Sequence, residues 1–203
     1  MQHAPEIDES LLTRMRSGDE DAFVTLYRRR QGGLYRFALN MSGSAAVAED
    51  VTQEVFLALI REECGFDPVR GSLSGYLYGI ARKLVLRHIE RGRFDTELLS
   101  GIDDSTVPEL AVVDDPLMEI THRESIDGLR RAVLALPRRY REVVVLCDLE
   151  EVDYSDAAQV LGCPIGTVRS RLHRARALLL DKLQVSHPAP VADQSRKAIR
   201  CLV

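Results

Sequence analysis

Apolar side chains recur along most of this chain at intervals of three and four, the period of a helix with one buried face. No stretch alternates long enough to suggest a sheet. Phe23, Leu26 and Tyr27, then Leu34, Phe37 and Ala38, mark such a face near the amino end. Ser10 or Asp19 can cap the early helices, and Gly18 separates them. Ser42-Gly43-Ser44 breaks the pattern. A helix over about 45–61 follows, with Val47, Val51, Val55 and Leu59 on one stripe and Glu49, Asp50, Gln53 and Glu54 on other faces. A loop over 64–71 leads to a helix over about 72–91 that buries Leu73, Leu77, Ile80, Leu84 and Ile89. Gly75 and Gly79 weaken it locally by about 1 kcal/mol each relative to Ala.

Periodicity is lost over 94–115, where Gly, Pro, Ser and acids mix, the composition of a linker. Asp115-Pro116 reads as an N-cap with Pro at the first helical position, opening a helix to about Leu136, and Pro137 starts another. The tail from Ser186 is loose apart from a short helix near 193–202. The expected fold class is all-α. Two small helical domains, 8–93 and 116–184, are joined by a flexible acidic linker, 94–115, and followed by a C-terminal tail, 185–203.

The net charge of −4, from 27 Lys+Arg and 31 Asp+Glu, at first argues against a nucleic-acid partner. Its distribution reverses that. Residues 94–121 hold eight acids and no Lys or Arg. Residues 68–93 hold Arg70, Arg82, Lys83, Arg87, Arg91 and Arg93 against Glu90 alone, and residues 157–180 hold four Arg and no acid. Two basic islands flank an acidic segment. Other classes drop out. The longest apolar run, Val143 to Cys147, is far short of the roughly 20 residues that span a bilayer. The amino end lacks a basic start followed by an apolar core, so a secretory signal is not expected. Cys64, Cys147, Cys163 and Cys201 are widely spaced, as free thiols in a reducing cytoplasm would be.

The densest chemistry lies at 154–176. Ala157, Ala158, Val160 and Leu161 make the inner face of a short helix, Gly162 permits a tight turn, and Cys163-Pro164 open a second helix on which Ile165, Val168 and Leu172 pack back. This is a helix-turn-helix pattern. On the second helix Arg169, Ser170, His173 and Arg174 share the outer side. Arg can bridge two acceptors on a guanine edge and Ser allows close approach. Arg171 and Arg176 point toward flanking phosphates, which set register without reading sequence.

Leu136 to Val143, followed by Gly162 to Arg176, resembles region 4 of the extracytoplasmic-function (ECF) sigma factors of the sigma-70 family. In that family this helix reads the −35 promoter element. Ala48-Glu49-Asp50-Val51-Thr52-Gln53-Glu54-Val55-Phe56-Leu57-Ala58-Leu59 resembles the family's region 2 helix that docks on the β′ clamp helices of RNA polymerase. Periodicity alone describes an amphipathic surface helix there; the resemblance implies that Asp50, Gln53 and Glu54 meet polymerase. Phe66 to Arg82 is similar to the −10 segment, which holds a flipped base and runs the opened strand along the following helix. That task needs stacking surfaces and cations. Phe66, Tyr76 and Tyr78 are the candidate stackers, with core packing the open alternative for each, and Arg70, Arg82, Lys83, Arg87, Arg91 and Arg93 the candidate cations. The family commonly has Trp at the position of Tyr76, Asn at Lys83, an acid at Arg87 and often Arg at Gly79; the Asn helps recognise the −10 element in some members, so Lys83 leaves the −10 base preference of this chain open and its DNA-binding role intact.

The resemblance covers about 8–93 and 116–184 in family order. It implies a cytoplasmic, non-enzymatic initiation factor whose partners are core RNA polymerase (β′ clamp helices and β subunit), promoter DNA and an anti-sigma factor, with no membrane insertion of its own. It also implies a connector threaded through the polymerase cleft; about 22 extended residues reach roughly 70 Å. A free-standing helix-turn-helix regulator using only 116–184 is the alternative. No nucleophile–base pair, metal triad or phosphate loop is present, Gly32-Gly33 and Gly162 being isolated, so neither catalytic site, cofactor nor metal is expected. Cys163 and His173 are two groups only, too few for a structural zinc site.

Overall fold

The computed structural model describes residues 7–61, 65–99 and 119–186. The linker past residue 99, the Asp115-Pro116 helix start, the tail with its expected last helix, Cys64 and Cys201 lie outside them. The described residues are helical, without strands.

Helix α1, Asp8–Arg16, starts after Ile7 with no side-chain cap, so Ser10 sits inside its first turn instead of capping it. The acid at the start of α1 is otherwise engaged. The Asp8 carboxylate is buried and pairs with Arg29, at 2.5 Å, and with Arg30. Helix α2, Glu20–Ser42, is capped by Asp19, whose Oδ1 accepts from the Ala22 N–H at 3.1 Å. Gly43 ends it at φ 76°, its N–H returning to Leu39 O at 2.8 Å, the left-handed stop that favours Gly. Ser44 caps α3, Ala45–Ile60. Helix α4, Leu73–Leu99, has two N-terminal satisfiers: Ser72 Oγ accepts from Gly75 N at 3.0 Å, and Glu9 Oε1 of α1 accepts from Leu73 N at 3.1 Å. It runs on to Leu99, past the end expected near Arg91 and across the first residues assigned to the linker.

The carboxyl half consists of α5, Glu119–Leu134; α6, Arg138–Val144; a π-helical turn, Val145–Leu149; α7, Tyr154–Leu161; and α8, Ile165–Ser186. Two apolar cores form. The smaller joins Leu136, Tyr140, Val143 and Val144 to Leu172 and Ala175 of α8. The larger is built from Leu26, Leu34 and Phe37 of α2, Val51 and Val55 of α3 and Leu73 and Leu77 of α4, and it continues without a break into Val145, Leu146, Val152, Ala157 and Val168. Burying each such side chain contributes about 1.5–3 kcal/mol over leaving it exposed. The two modules therefore share apolar surface instead of meeting only through a linker. Ile80 and Ile89, expected inside, are half-buried, and Ile165 is 41% exposed because it stands at the open first turn of α8.

Candidate nucleic-acid interface

The helix-turn-helix closes as its residues dictate. Gly162 takes φ 62°, and the Cys163 N–H bonds back to Ala158 O at 3.0 Å. Pro164 follows without a donor to lose, its carbonyl accepting from Val168 N at 3.2 Å to begin α8. Val168, Leu172 and Ala175 are buried, which turns Arg169, Ser170, His173 and Arg174 outward to solvent. Arg171 is half-buried with Nη1 3.9 Å from Cys163 Sγ. Arg176 is exposed but held by Asp148 of the π turn, donating from Nε at 3.0 Å and from Nη2 at 2.6 Å. Those bonds and the Asp148 charge push its pKa still higher, so it stays a cation.

The second basic island lines a groove of about 650 Å³ along the amino half of α4. Phe66, Arg70, Tyr76, Arg82 and Lys83 border it, with Gly71, Ser72, Gly75 and Gly79 as its floor. Phe66 and Tyr76 lie ring to ring at 5.4 Å, tilted by 56°, and both are half-buried against the larger core. Lys83 and Arg87 are exposed. Arg82 is engaged: its Nε donates to Glu142 Oε1 at 3.2 Å and its Nη2 to Oε2 at 3.4 Å. Asp67 and Ile80 also line it, and Gln159 and Val160 of α7 close one side, so the carboxyl module covers part of the groove.

Asp50, Gln53 and Glu54 are exposed together on α3, followed by Leu57 at 45% and Ile60 at 51% exposure. Val51, Val55 and Leu59 face inward, as their spacing predicted. An acidic and amide face ending in two exposed aliphatic side chains suits a partner that is basic with apolar relief.

The sequence reading missed the residues joining the modules: Ser72, Arg36, Glu142, Glu150 and Asp156. Ser72 Oγ donates to Asp156 Oδ2. Glu150 Oε2 accepts from Arg36 at 2.9 Å and from the Tyr78 hydroxyl at 3.2 Å; Tyr78, expected as a stacking surface, is instead buried in the core with its ring 5.5 Å from Phe37. Burial pushes the Glu150 carboxyl up against the opposing pull of Arg36, and burial beside Glu150 pushes the Tyr78 phenol well above its ordinary range. The one signal available was glycine. A Cβ at Gly75 would lie 3.0 Å from Asp156 Cβ, one at Gly71 2.6 Å from Gln159 Oε1, and one at Gly33 2.7 Å from the Tyr78 hydroxyl and 3.1 Å from Glu150 Oε2. Among the described residues no three His, Cys, Asp or Glu side chains gather as metal ligands. Burial, then Asp148, pushes the Cys147 thiol up to about 11, which leaves it protonated and unreactive at neutral pH. No described helix is long and apolar enough to cross a membrane.

Residues 26–94 match the family model for Sigma-70 region 2, and residues 126–179 match that for Sigma-70, region 4. The chain is 37% identical over 173 residues to the ECF RNA polymerase sigma factor SigE of Mycolicibacterium smegmatis, covering 82% of this chain and 65% of that protein. It is 31% identical over 194 residues to the RNA polymerase sigma-H factor of Pseudomonas aeruginosa, covering 88% and 95%. It is 29% identical over 178 residues to the ECF RNA polymerase sigma factor SigW of Bacillus subtilis, covering 85% and 95%. Its fold is similar to that of the sigma factor RpoE in complex with the anti-sigma factor NepR from Bartonella quintana, with TM-score 0.64 and 24% identity over 80% of this chain and 97% of that one. It is similar also to CnrH in complex with the cytosolic domain of CnrY, with TM-score 0.65 and 23% identity over 89% and 99%.

Proposed function

The chain belongs to the sigma-70 family as an ECF-type RNA polymerase sigma factor, and from that premise we propose how its parts share promoter-specific initiation. The amino module docks on the β′ clamp helices of core polymerase through Asp50, Gln53 and Glu54. Its α4 groove takes the opened −10 strand, stacking a base against Phe66 or Tyr76 while Arg70, Arg82, Lys83 and Arg87 neutralise backbone phosphates. The carboxyl module meets the β subunit and sets α8 in the −35 major groove, where Arg169, Ser170, His173 and Arg174 reach base edges and Arg171 and Arg176 hold phosphates. The work is done in the cytoplasm, and an anti-sigma factor restrains it.

The observation that carries this reading is the exposed basic face of α8, ordered behind Gly162 and buried Val168 and Leu172. That face follows in one chain an aromatic and cationic groove that a repressor using only residues 116–184 would not need. In vitro transcription with purified core polymerase on a pool of genomic fragments tests it. Discrete transcripts that depend on this chain are the expected result, and none above core alone overturns it.

A further inference from the structure

Asp148 takes one edge of the Arg176 guanidinium and leaves another. Nε donates to Asp148 Oδ2 at 3.0 Å and Nη2 to Oδ1 at 2.6 Å. The guanidinium is a planar, rigid fork, so its end-on edge, a second N–H of Nη2 beside one of Nη1, is turned away from that carboxylate. The Tyr154 phenol, at the start of α7, faces the same guanidinium. Asp148 is itself firmly mounted. It stands in the π turn, whose Val145 and Leu146 are fully buried and whose Cys147 and Leu149 pack against the larger core. Such a turn sets side chains off the α-helical register, a device frequent at functional positions. Stability does not account for the pair. The Arg176 side chain is 55% exposed and that of Asp148 26%, a setting in which an ion pair contributes little. Leu172 and Ala175 already fasten α8 to α6. Arg176 lies two turns beyond Arg169, about 10.5 Å along the same flank of α8, and both are exposed. With the first turns of α8 at base edges, that step crosses most of a major groove about 12 Å wide and carries Arg176 to the bordering phosphates.

We infer that Asp148 is a positioning residue for −35 binding: it fixes the Arg176 fork so that the end-on edge is aimed in advance at one backbone phosphate. The inference rests on the assignment of α8 to the −35 element and of Arg176 to a phosphate. It adds that an acid beside the DNA-facing helix strengthens binding, the opposite of what its charge alone would do. A carboxylate there repels phosphate, but the repulsion is screened by the solvent around an exposed pair. Ordering the long Arg176 side chain beforehand removes that cost from the binding step. Two parallel N–H donors then meet the phosphate without rearrangement.

The test uses the full chain with core polymerase, on the shortest genomic fragment that yields a transcript in the assay above. Affinity for that fragment is measured for wild type, Asp148→Ala, Asp148→Asn, Arg176→Ala and the Asp148→Ala/Arg176→Ala double variant. Asp148→Ala should bind about two- to tenfold more weakly than wild type. Asp148→Asn, which keeps the size and one acceptor oxygen, should fall between them. Once Arg176 is Ala, removing Asp148 as well should cost nothing further. A second series of fragments carries a single neutral methylphosphonate at each −35 phosphate in turn. One of these should weaken wild type clearly and Asp148→Ala and Arg176→Ala least; a loss of folding would leave the wild-type phosphate profile in whatever protein still binds. Unchanged or tighter binding by Asp148→Ala overturns the inference. A loss that persists in the double variant, or that leaves the phosphate profile unaltered, overturns it too. If Arg176→Ala itself loses no affinity, the phosphate assignment of Arg176 falls and the inference with it, while the initiation reading stands. No transcript from any fragment overturns that reading and all that rests on it.

Discussion

Arg174 and Arg176 stand two residues apart on α8 with different freedom: Arg174 is turned to solvent, whereas Arg176 is tied to Asp148. Arg174→Ala should therefore lose about 1–3 kcal/mol at one −35 position. Transcription from templates varied base by base measures it, and a uniform loss across all of them would make Arg174 a phosphate contact instead. Arg141 carries a structural prediction. It is half-buried and donates to Met41 O at 2.8 Å, to Leu136 O at 3.2 Å and to Leu134 O, joining the end of α2 to the turn before α6. Burial lowers its pKa, though not enough to discharge it at any physiological pH. Arg141→Met keeps the apolar stem and strands those carbonyls, a loss of about 1–3 kcal/mol in urea unfolding of the full chain. A loss below about 0.5 kcal/mol would mean that water replaces the guanidinium.

At the scale of elements the turn of the helix-turn-helix is the sharpest case. Gly162 at φ 62° has open space around it, so Gly162→Ala meets no clash and only backbone strain. The expected loss is about 1–2 kcal/mol, read as a lower Tm of the full chain; an unchanged Tm would mean that the turn relaxes. That turn was legible because one residue type satisfies it, and so was the Asp19 cap. The Ser10 cap was misread because the choice of α1 start depends on Arg29 and Arg30, which reach back to Asp8 from another helix. The π turn at Val145–Leu149 was illegible for a related reason. Its apolar run reads equally as plain helix, and the extra residue is accommodated by tertiary packing of Val145 and Leu146 in the larger core. Gly75 reads as a helix weakness in one dimension and as a docking recess in three.

The whole molecule is held closed by pairs that lie 60 to 114 positions apart, a separation no local pattern carries. One of them makes closure depend on pH. The Glu150 side chain is 2% exposed, faced by Arg36, which is mostly in solvent, and by the Tyr78 phenol, which stays protonated throughout the acid range. Burial raises the carboxyl's pKa more than the Arg36 and Tyr78 bonds lower it. The same pair raises the Arg36 pKa, but Arg36 has little solvation to lose, so the buried partner sets the sign. A raised native pKa means that the folded state holds its proton to higher pH than the unfolded state does. The stabilisation is complete below the ordinary carboxylate pKa and is lost as pH rises through the native one. The wild type should therefore gain stability relative to Glu150→Gln as the pH is lowered from 7 toward 5. Carboxylates common to both chains cancel in the difference of urea midpoints. The opposite slope, with the wild type losing ground on acidification, would make Glu150 and Arg36 a net stabilising ion pair, and closure would then weaken in acid.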